Sequence, residues 1–168
     1  MPCACKKPLP NYPENVEWGP IVWKILHGLA EVSGKQTLDT LQSDERRLWV
    51  SLLKGVRDML PCNKCREHYA FWISSNPIDD LASIPYTEFG TRIRTWLHIL
   101  HNNVNTRLGK SEFLHELLPK TYTRINITES WKRLEPVMRL AIQLNGISLN
   151  PWRKWLMSVR SLQGIYGV

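Results

Sequence analysis

Apolar residues in this chain recur at intervals of three and four, and no run alternates convincingly at two. Between Thr87 and Gly109, one stripe holds Phe89, Ile93, Trp96, Leu97, Leu100, Val104 and Leu108, the mark of a helix that Thr87 and Glu88 start and the glycine ends. Ile21, Val22, Ile25, Leu26 and Leu29 form a similar stripe over about 19–32, with Pro20 in the opening turn. Ser43 is placed to cap a second helix, with Asp44 and Glu45 in its first turn, running through Leu48, Leu52, Leu53 and Val56 to Leu60 before Pro61. A third helix opens at about Cys62 and stops near Asn76-Pro77, and Ser111 is expected to cap a short fifth one reaching about Leu118. Two more follow: about 131–144, kinked or shortened at its start by Pro136, and one capped by Asn150 with Pro151 at its first position, ending near Gly164. Four helices with short connections fold most simply as an antiparallel bundle.

The chain divides into three parts on this reading. Residues 1–17 hold four prolines and little apolar periodicity, so they read as an extended, mobile arm. Residues 18–119 form the bundle and 120–168 a basic helical extension. That extension has 8 Lys+Arg against 2 Asp+Glu and so supplies six of the seven net positive charges. It reads first as a solvated basic surface, with an anionic partner as the alternative. No base-reading module is present, so nucleic acid is not an expected partner. With 43% hydrophobic residues in 168, the chain can bury a real core, yet no stretch approaches a membrane span. The first residues resemble neither a signal peptide nor a presequence, which points to a cytoplasmic address.

The chemistry concentrates in the cysteines and histidines. The four cysteines fall as Cys3-Ala4-Cys5 and Cys62-Asn63-Lys64-Cys65. A C-x-x-C opening a helix places one thiol where the helix N-terminus favours thiolate and the second one turn on, close enough to form a disulfide. Lys64 and Arg66 add positive charge nearby. A thioredoxin-like fold would need a preceding strand, and the helix ending at Leu60 argues against one. The competing reading is a zinc site in which Cys3, Cys5, Cys62 and Cys65, with His68 as a substitute, clamp a helical binding module for an anionic partner. The 56-residue gap between the pairs is unlike a compact zinc module. Along the fourth helix, His101, Asn105 and Leu108 share a face that ends at Lys110, combining stacking, hydrogen-bonding, apolar and cationic groups suited to an adenine nucleotide. Trp23 and His27, four apart, offer a second aromatic and polar wall.

Three ordered motifs carry a resemblance: Trp18-Gly19-Pro20-x-x-Trp23-x-x-x-His27, then Pro61-Cys62-x-x-Cys65-x-x-His68-Tyr69, then Trp96-Leu97-x-x-x-His101-Asn102-x-Val104-Asn105-x-x-Leu108-x-Lys110. Over about residues 18–115 the chain resembles the Erv/ALR family of FAD-dependent sulfhydryl oxidases. The resemblance implies an all-α fold: a four-helix bundle plus a short fifth helix binding FAD, followed here by the C-terminal helical extension. It makes Cys65 the flavin-proximal thiolate and Cys62 the interchange thiol. It also places Gly19, Trp23, His27, His68, His101, Asn102, Val104, Asn105, Leu108 and Lys110 at flavin-site positions, with Tyr122 as a further one. Protein dithiols would be the substrates, through a thioredoxin-like relay protein in some settings; O2 would be the acceptor, with H2O2 as product, and the protein a homodimer. Cys3 and Cys5 match the second, shuttle dithiol that some members carry on an arm. The twelve residues between Cys5 and Trp18 give that arm a reach of roughly 37 Å.

Two departures stand out. Where many members have a cysteine two residues after the fourth-helix Trp, bonded to a C-terminal cysteine, this chain has His98, and no cysteine follows Cys65. The extension, with Trp131, Trp152 and Trp155, is expected to take over the covering role by burial. A staple-free variant of this kind is more similar to enzymes of large DNA viruses, acting in the host cytoplasm or virion, than to mitochondrial ones.

Overall fold

The computed structural model describes residues 11–168, so Cys3 and Cys5 lie outside the described residues. The helices are α1 (Asn15–Val32), α2 (Asp39–Met59), α3 (Asn63–Ser75), α4 (Tyr86–Arg107), α5 (Leu118–Tyr122), α6 (Ile127–Gln143) and α7 (Leu149–Tyr166), with 3-10 turns at Asp79–Ala82 and His115–Leu117. Among the described residues there is no strand, as the apolar spacing requires. α1 packs against α4 and α2 against α3, and the stripe expected on α4 is buried at Phe89, Ile93, Trp96, Leu97 and Leu100.

The C-terminal helices share this core. α6 lies along α1 and α7 along α2. The crossing of α1 with the stretch before α6 is close: a Cβ on Gly28 would come within 2.6 Å of Ile127 Cδ1 and 3.3 Å of Ile125 Cβ. Trp152 and Trp155 are buried as expected, with Trp155 packed over Gly55 of α2. Rings of this size each remove on the order of 150–250 Å² from water, about 4–6 kcal/mol of apolar transfer before entropy is counted. Trp131 is half-buried and donates its indole N–H to Gln163 Oε1 at 3.0 Å.

Several helix boundaries differ from the sequence reading, each for a physical reason. α1 begins four residues before Gly19, because Glu17 Oε2 accepts the backbone N–H of Glu14 at 2.6 Å and closes the first turn; Pro20 therefore lies in the second turn. α2 begins at Asp39 after Leu38, so Ser43 and Glu45 sit inside the helix. Glu45 is fully buried, where it accepts from Gly34 N at 2.9 Å, from the Tyr166 hydroxyl at 2.5 Å and from the Tyr86 hydroxyl. Trp49 Nε1 donates in turn to the Tyr166 hydroxyl at 2.7 Å. This network ties the end of α7 to α2 and α4. α6 starts at Ile127, where Asn126 Oδ1 accepts Glu129 N at 2.9 Å, and runs through Pro136 unbroken. α7 starts at Leu149 and runs past Gly164 to Gly167, whose φ of +67° suits a glycine.

The fifth helix is the largest difference. Ser111 caps nothing, and residues 110–114 form a non-helical strap before the turn at His115 and the helix at Leu118. The cause is the Asn102 amide, whose Oδ1 accepts Phe113 N at 2.9 Å while its Nδ2 donates to Phe113 O at 3.0 Å. Both backbone groups a helix would use there are already engaged.

Candidate active site

The redox pair lies where α2 hands over to α3. Pro61 ends the connection, Cys62 is the N-cap of α3, and Cys62 and Cys65 are joined in a disulfide with Cα atoms 5.1 Å apart. Cys65 N–H donates to Cys62 Sγ at 3.2 Å, so the helix N-terminus favours negative charge on the Cys62 sulfur. Cys62 lines a cavity of about 640 Å³ together with Tyr12, Pro61, Arg66 and Gly146, whereas Cys65 does not border it. Cys65 Sγ instead has Asn15 Oδ1 3.8 Å away. Both cysteines are half-buried, and of the two Cys62 lines this cavity. Among the described residues no three His, Cys, Asp or Glu side chains are grouped to hold a metal ion; Cys3 and Cys5, two of the ligands the zinc reading needs, lie outside them.

A second cluster joins α1, α4 and α5. Trp23 stacks on His101 with centroids 4.1 Å apart and planes 11° from parallel, and Phe113 lies nearly parallel to His101 at 5.9 Å. His27 Nε2 and His101 Nδ1 are 3.1 Å apart, and Tyr122 stacks on His27 at 4.6 Å. His27 is fully buried, and its pKa falls to about 3 through burial first, then through His101 and His98. Burial, with His98 and Lys110 behind it, lowers His101 to about 4. Both imidazoles are therefore neutral at pH 7, one donating and the other accepting in the shared bond. His27 Nδ1 is buried with no partner.

The expected residues fall into groups. Trp23, His27, His101 and Tyr122 are brought together in this box. Asn102 turns to the strap, where it clamps Phe113. Asn105 Nδ2 reaches Asn102 Oδ1 at 3.5 Å, Val104 is half-buried against the core, and Leu108 and Lys110 are exposed at the end of α4. His68 on α3 is exposed and hydrogen-bonded to Arg107 of α4. Gly19 faces open space, with nothing within 4 Å of where a Cβ would stand. Phe113 and His115 join the site without a signal in the sequence, and His98, which the sequence marks only as a missing cysteine, joins them. His98 Nε2 donates to Phe113 O at 2.6 Å, and its ring meets His115 edge-on at 5.0 Å. A polar contact thus occupies the helix position where a staple cysteine was missing.

These residues fit a flavin dinucleotide. The buried unpartnered His27 Nδ1, the partly open Trp23 and His101 rings, and the exposed apolar Leu108 beside the Lys110 cation supply hydrogen-bonding, stacking, apolar and anion-pairing groups on one side of the bundle. Residues 20–132 match the Erv1 / Alr family. The chain is 30% identical over 95 residues to an FAD-linked sulfhydryl oxidase of African swine fever virus, covering 56% of this chain and 71% of the relative. It is 29% identical over 104 residues to the mitochondrial FAD-linked sulfhydryl oxidase erv1 of Schizosaccharomyces pombe, covering 62% of this chain and 52% of that protein. A third relative, the FAD-linked sulfhydryl oxidase ERV1 of Oryza sativa, is 29% identical over 97 residues, 58% of this chain and 44% of the relative. The chain therefore spans about half the length of these two cellular relatives. No solved structure matches it. No described helix is long and apolar enough to cross a membrane.

Proposed function

Because the chain belongs to the Erv1/Alr family, we propose that it is an FAD-dependent thiol oxidase that makes disulfides in protein substrates and passes the electrons to O2, giving H2O2. The observation that carries this reading is the Cys62–Cys65 disulfide at a helix N-terminus, with Cys62 on an open cavity, in a bundle that also holds the neutral imidazole and aromatic box. A substrate thiolate attacks Cys62 Sγ, the Cys62–Cys65 bond breaks and Cys65 leaves as thiolate. The second substrate thiolate then attacks the mixed disulfide, closing the substrate disulfide and releasing Cys62. Cys62 is a good leaving group there, since Cys65 N–H donates to its sulfur and Arg66 lines the same cavity. Bound flavin would supply the two-electron acceptor that Cys65 reduces and O2 reoxidises. Trp23, His27, His101, Tyr122, Asn105 and Lys110 would hold it, the two neutral histidines keeping charge out of the buried part of the site.

Cys3 and Cys5 act in this proposal as a shuttle dithiol, since a disulfide across one intervening residue is constrained and exchanges readily. Homodimerisation, a thioredoxin-like relay protein and a cytoplasmic or virion setting belong to the same reading, supported by the family and by the African swine fever virus relatives. Single Cys62→Ser and Cys65→Ser variants test the redox centre. Each is expected to lose oxidation of a small dithiol, measured as oxygen consumption, while retaining bound flavin. Turnover near that of the wild type in either would contradict the assignment.

A further inference from the structure

Three distant pieces of chain build the cavity onto which Cys62 opens. The Tyr12 hydroxyl donates to Pro61 O at 2.7 Å, which pins the segment before α1 to the residue preceding the redox cysteine. The third piece is the turn between α6 and α7, where Gly146 lies so close to the Tyr12 ring that a Cβ there would overlap the hydroxyl. Arg66 Nη1 ties this turn to the end of α2, donating to Gly146 O at 3.1 Å and to Leu60 O at 2.9 Å. The C-terminal extension thus supplies one wall of the redox site. At about 640 Å³ the cavity has the size of a ligand pocket and can admit a short stretch of polypeptide.

Its lining is polar and one-sided in charge. Asn15, Asn63 and Asn145 border it, and a carboxamide both donates and accepts, which matches the unpaired N–H and C=O groups of an extended chain. Asn145 is exposed at the end of α6 with φ of +59°, a conformation for which glycine is the usual residue. Among the described residues Arg66 is the only charged one in the lining; Glu14 and Glu67, close in sequence, are exposed and do not border the cavity. The acceptors of Arg66 are the neutral Leu60 O, Gly146 O and Asn63 Oδ1, so these bonds fix the guanidinium without cancelling its charge. Arg66 is half-buried, where salt screens a charge less than at the open surface. We infer that this cavity, completed by the α6–α7 turn, is a recognition cleft for an extended segment of the substrate protein that carries an acidic side chain beside its reactive cysteine. The inference rests on the thiol-oxidase reading of Cys62. The acidic side chain lies in the field of Arg66, and the Asn145 carboxamide bonds the main chain on the side of the extension.

Calorimetric titration of short peptides into the FAD-loaded full chain tests the cleft without relying on turnover. Each peptide carries serine in place of the reactive cysteine, which keeps thiol chemistry out of the comparison, and the serine is flanked by Glu, Gln or Lys. The Glu peptide is expected to bind about five-fold more tightly than the Gln peptide at low salt, with the Lys peptide weakest. The margin should close as ionic strength rises. Arg66→Gln should lose the preference for Glu over Gln, and Arg66→Lys, which keeps the charge, should retain it. Asn145→Gly suits the positive φ and should weaken the Glu and Gln peptides alike, by about three- to ten-fold, with the preference between them unchanged. Flavin occupancy and melting temperature show that each variant is folded, and the salt dependence and Asn145→Gly test the cleft without the Arg66 variants. Equal affinity for the Glu and Gln peptides at low salt, a preference that survives in Arg66→Gln, undiminished binding by Asn145→Gly, or no peptide binding at all would overturn the proposal. S-methylglutathione bound as tightly as the Glu peptide would assign the cleft to a small anionic thiol and overturn it too. An active oxidase that fails these titrations loses this inference alone, whereas a protein without flavin or turnover loses the oxidase reading and the inference with it.

Discussion

The hydrogen-bonded pair of buried His27 and half-buried His101 makes acid stability a quantitative test of the box. Their pKa values drop from 6.5 to about 3 and about 4 in the folded protein, mainly because burial penalises the imidazolium. The unfolded chain therefore takes up protons first as the pH falls. The stabilisation is complete above pH 6.5 and is lost as the pH drops from there to about 4 for His101 and about 3 for His27. Each histidine contributes about 1.4 kcal/mol per pH unit inside that window, and integration from pH 7 to pH 5 gives a loss of about 4 kcal/mol for the pair. That is a large part of the roughly 5–15 kcal/mol typical of a folded domain. Urea unfolding of the full chain at pH 7, 6 and 5, at fixed ionic strength and flavin concentration, measures it. Exposed carboxylates add a common background, so the decisive comparison is with His27→Gln, which cannot titrate there. Its loss between pH 7 and pH 5 should be smaller than that of wild type by about 2 kcal/mol. Equal losses in the two proteins, or a wild-type stability flat across the range, would refute the assignment of neutral buried imidazoles.

Two further outcomes follow from the contacts. His98→Leu removes one of the donors holding Phe113 O, and loss of about 1–1.5 kcal/mol should speed flavin release roughly ten-fold, read as recovery of free-flavin fluorescence on dilution. His98→Gln, which restores an amide donor, should recover most of the difference, and unchanged release in His98→Leu would mean the strap does not hold the cofactor. Glu45→Ala leaves the Gly34 N–H and the Tyr86 and Tyr166 hydroxyls without their acceptor, at a cost of about 3–5 kcal/mol in denaturant unfolding. Glu45→Gln, which keeps one carbonyl oxygen, should cost less than half as much, and equal costs would show that packing matters there more than the hydrogen bonds.

What could be read before the structure was the local pattern. The α4 stripe is a property of spacing alone, as is the placement of Cys62 at a helix start; Cys62 appears where the sequence puts it and the stripe is buried from Phe89 to Leu100, while Val104 is half-buried and Leu108, at the end of the helix, is exposed. The helix starts were misplaced where a side chain favoured by composition had a better use elsewhere. Ser43 reads as a cap, yet Asp39 already begins the helix, and Glu45 reads as a first-turn carboxylate although its partners are Tyr86 and Tyr166, 41 and 121 residues away. Ser111 fails as a cap for the same kind of reason, since Asn102 on a different helix holds the Phe113 peptide. In the site, Trp23 and His101 are legible as ring-bearing faces of separate helices, but the third ring on their stack, Phe113, is set by that tertiary clamp. His98 was visible as a missing cysteine, and its contact with His115 only through folding. Tyr12 and Gly146 lie at opposite ends of the sequence, and no local signal joins them.

The most direct measurement of the central claim is an anaerobic absorption spectrum of the purified full chain, recorded before and after addition of a reduced dithiol and again after admitting air. The account predicts a yellow protein whose oxidised-flavin absorption bleaches with dithiol, returns with O2, and fails to bleach in Cys65→Ser. A colourless protein that takes up no FAD, or bound flavin that bleaches equally well without Cys65, would contradict it.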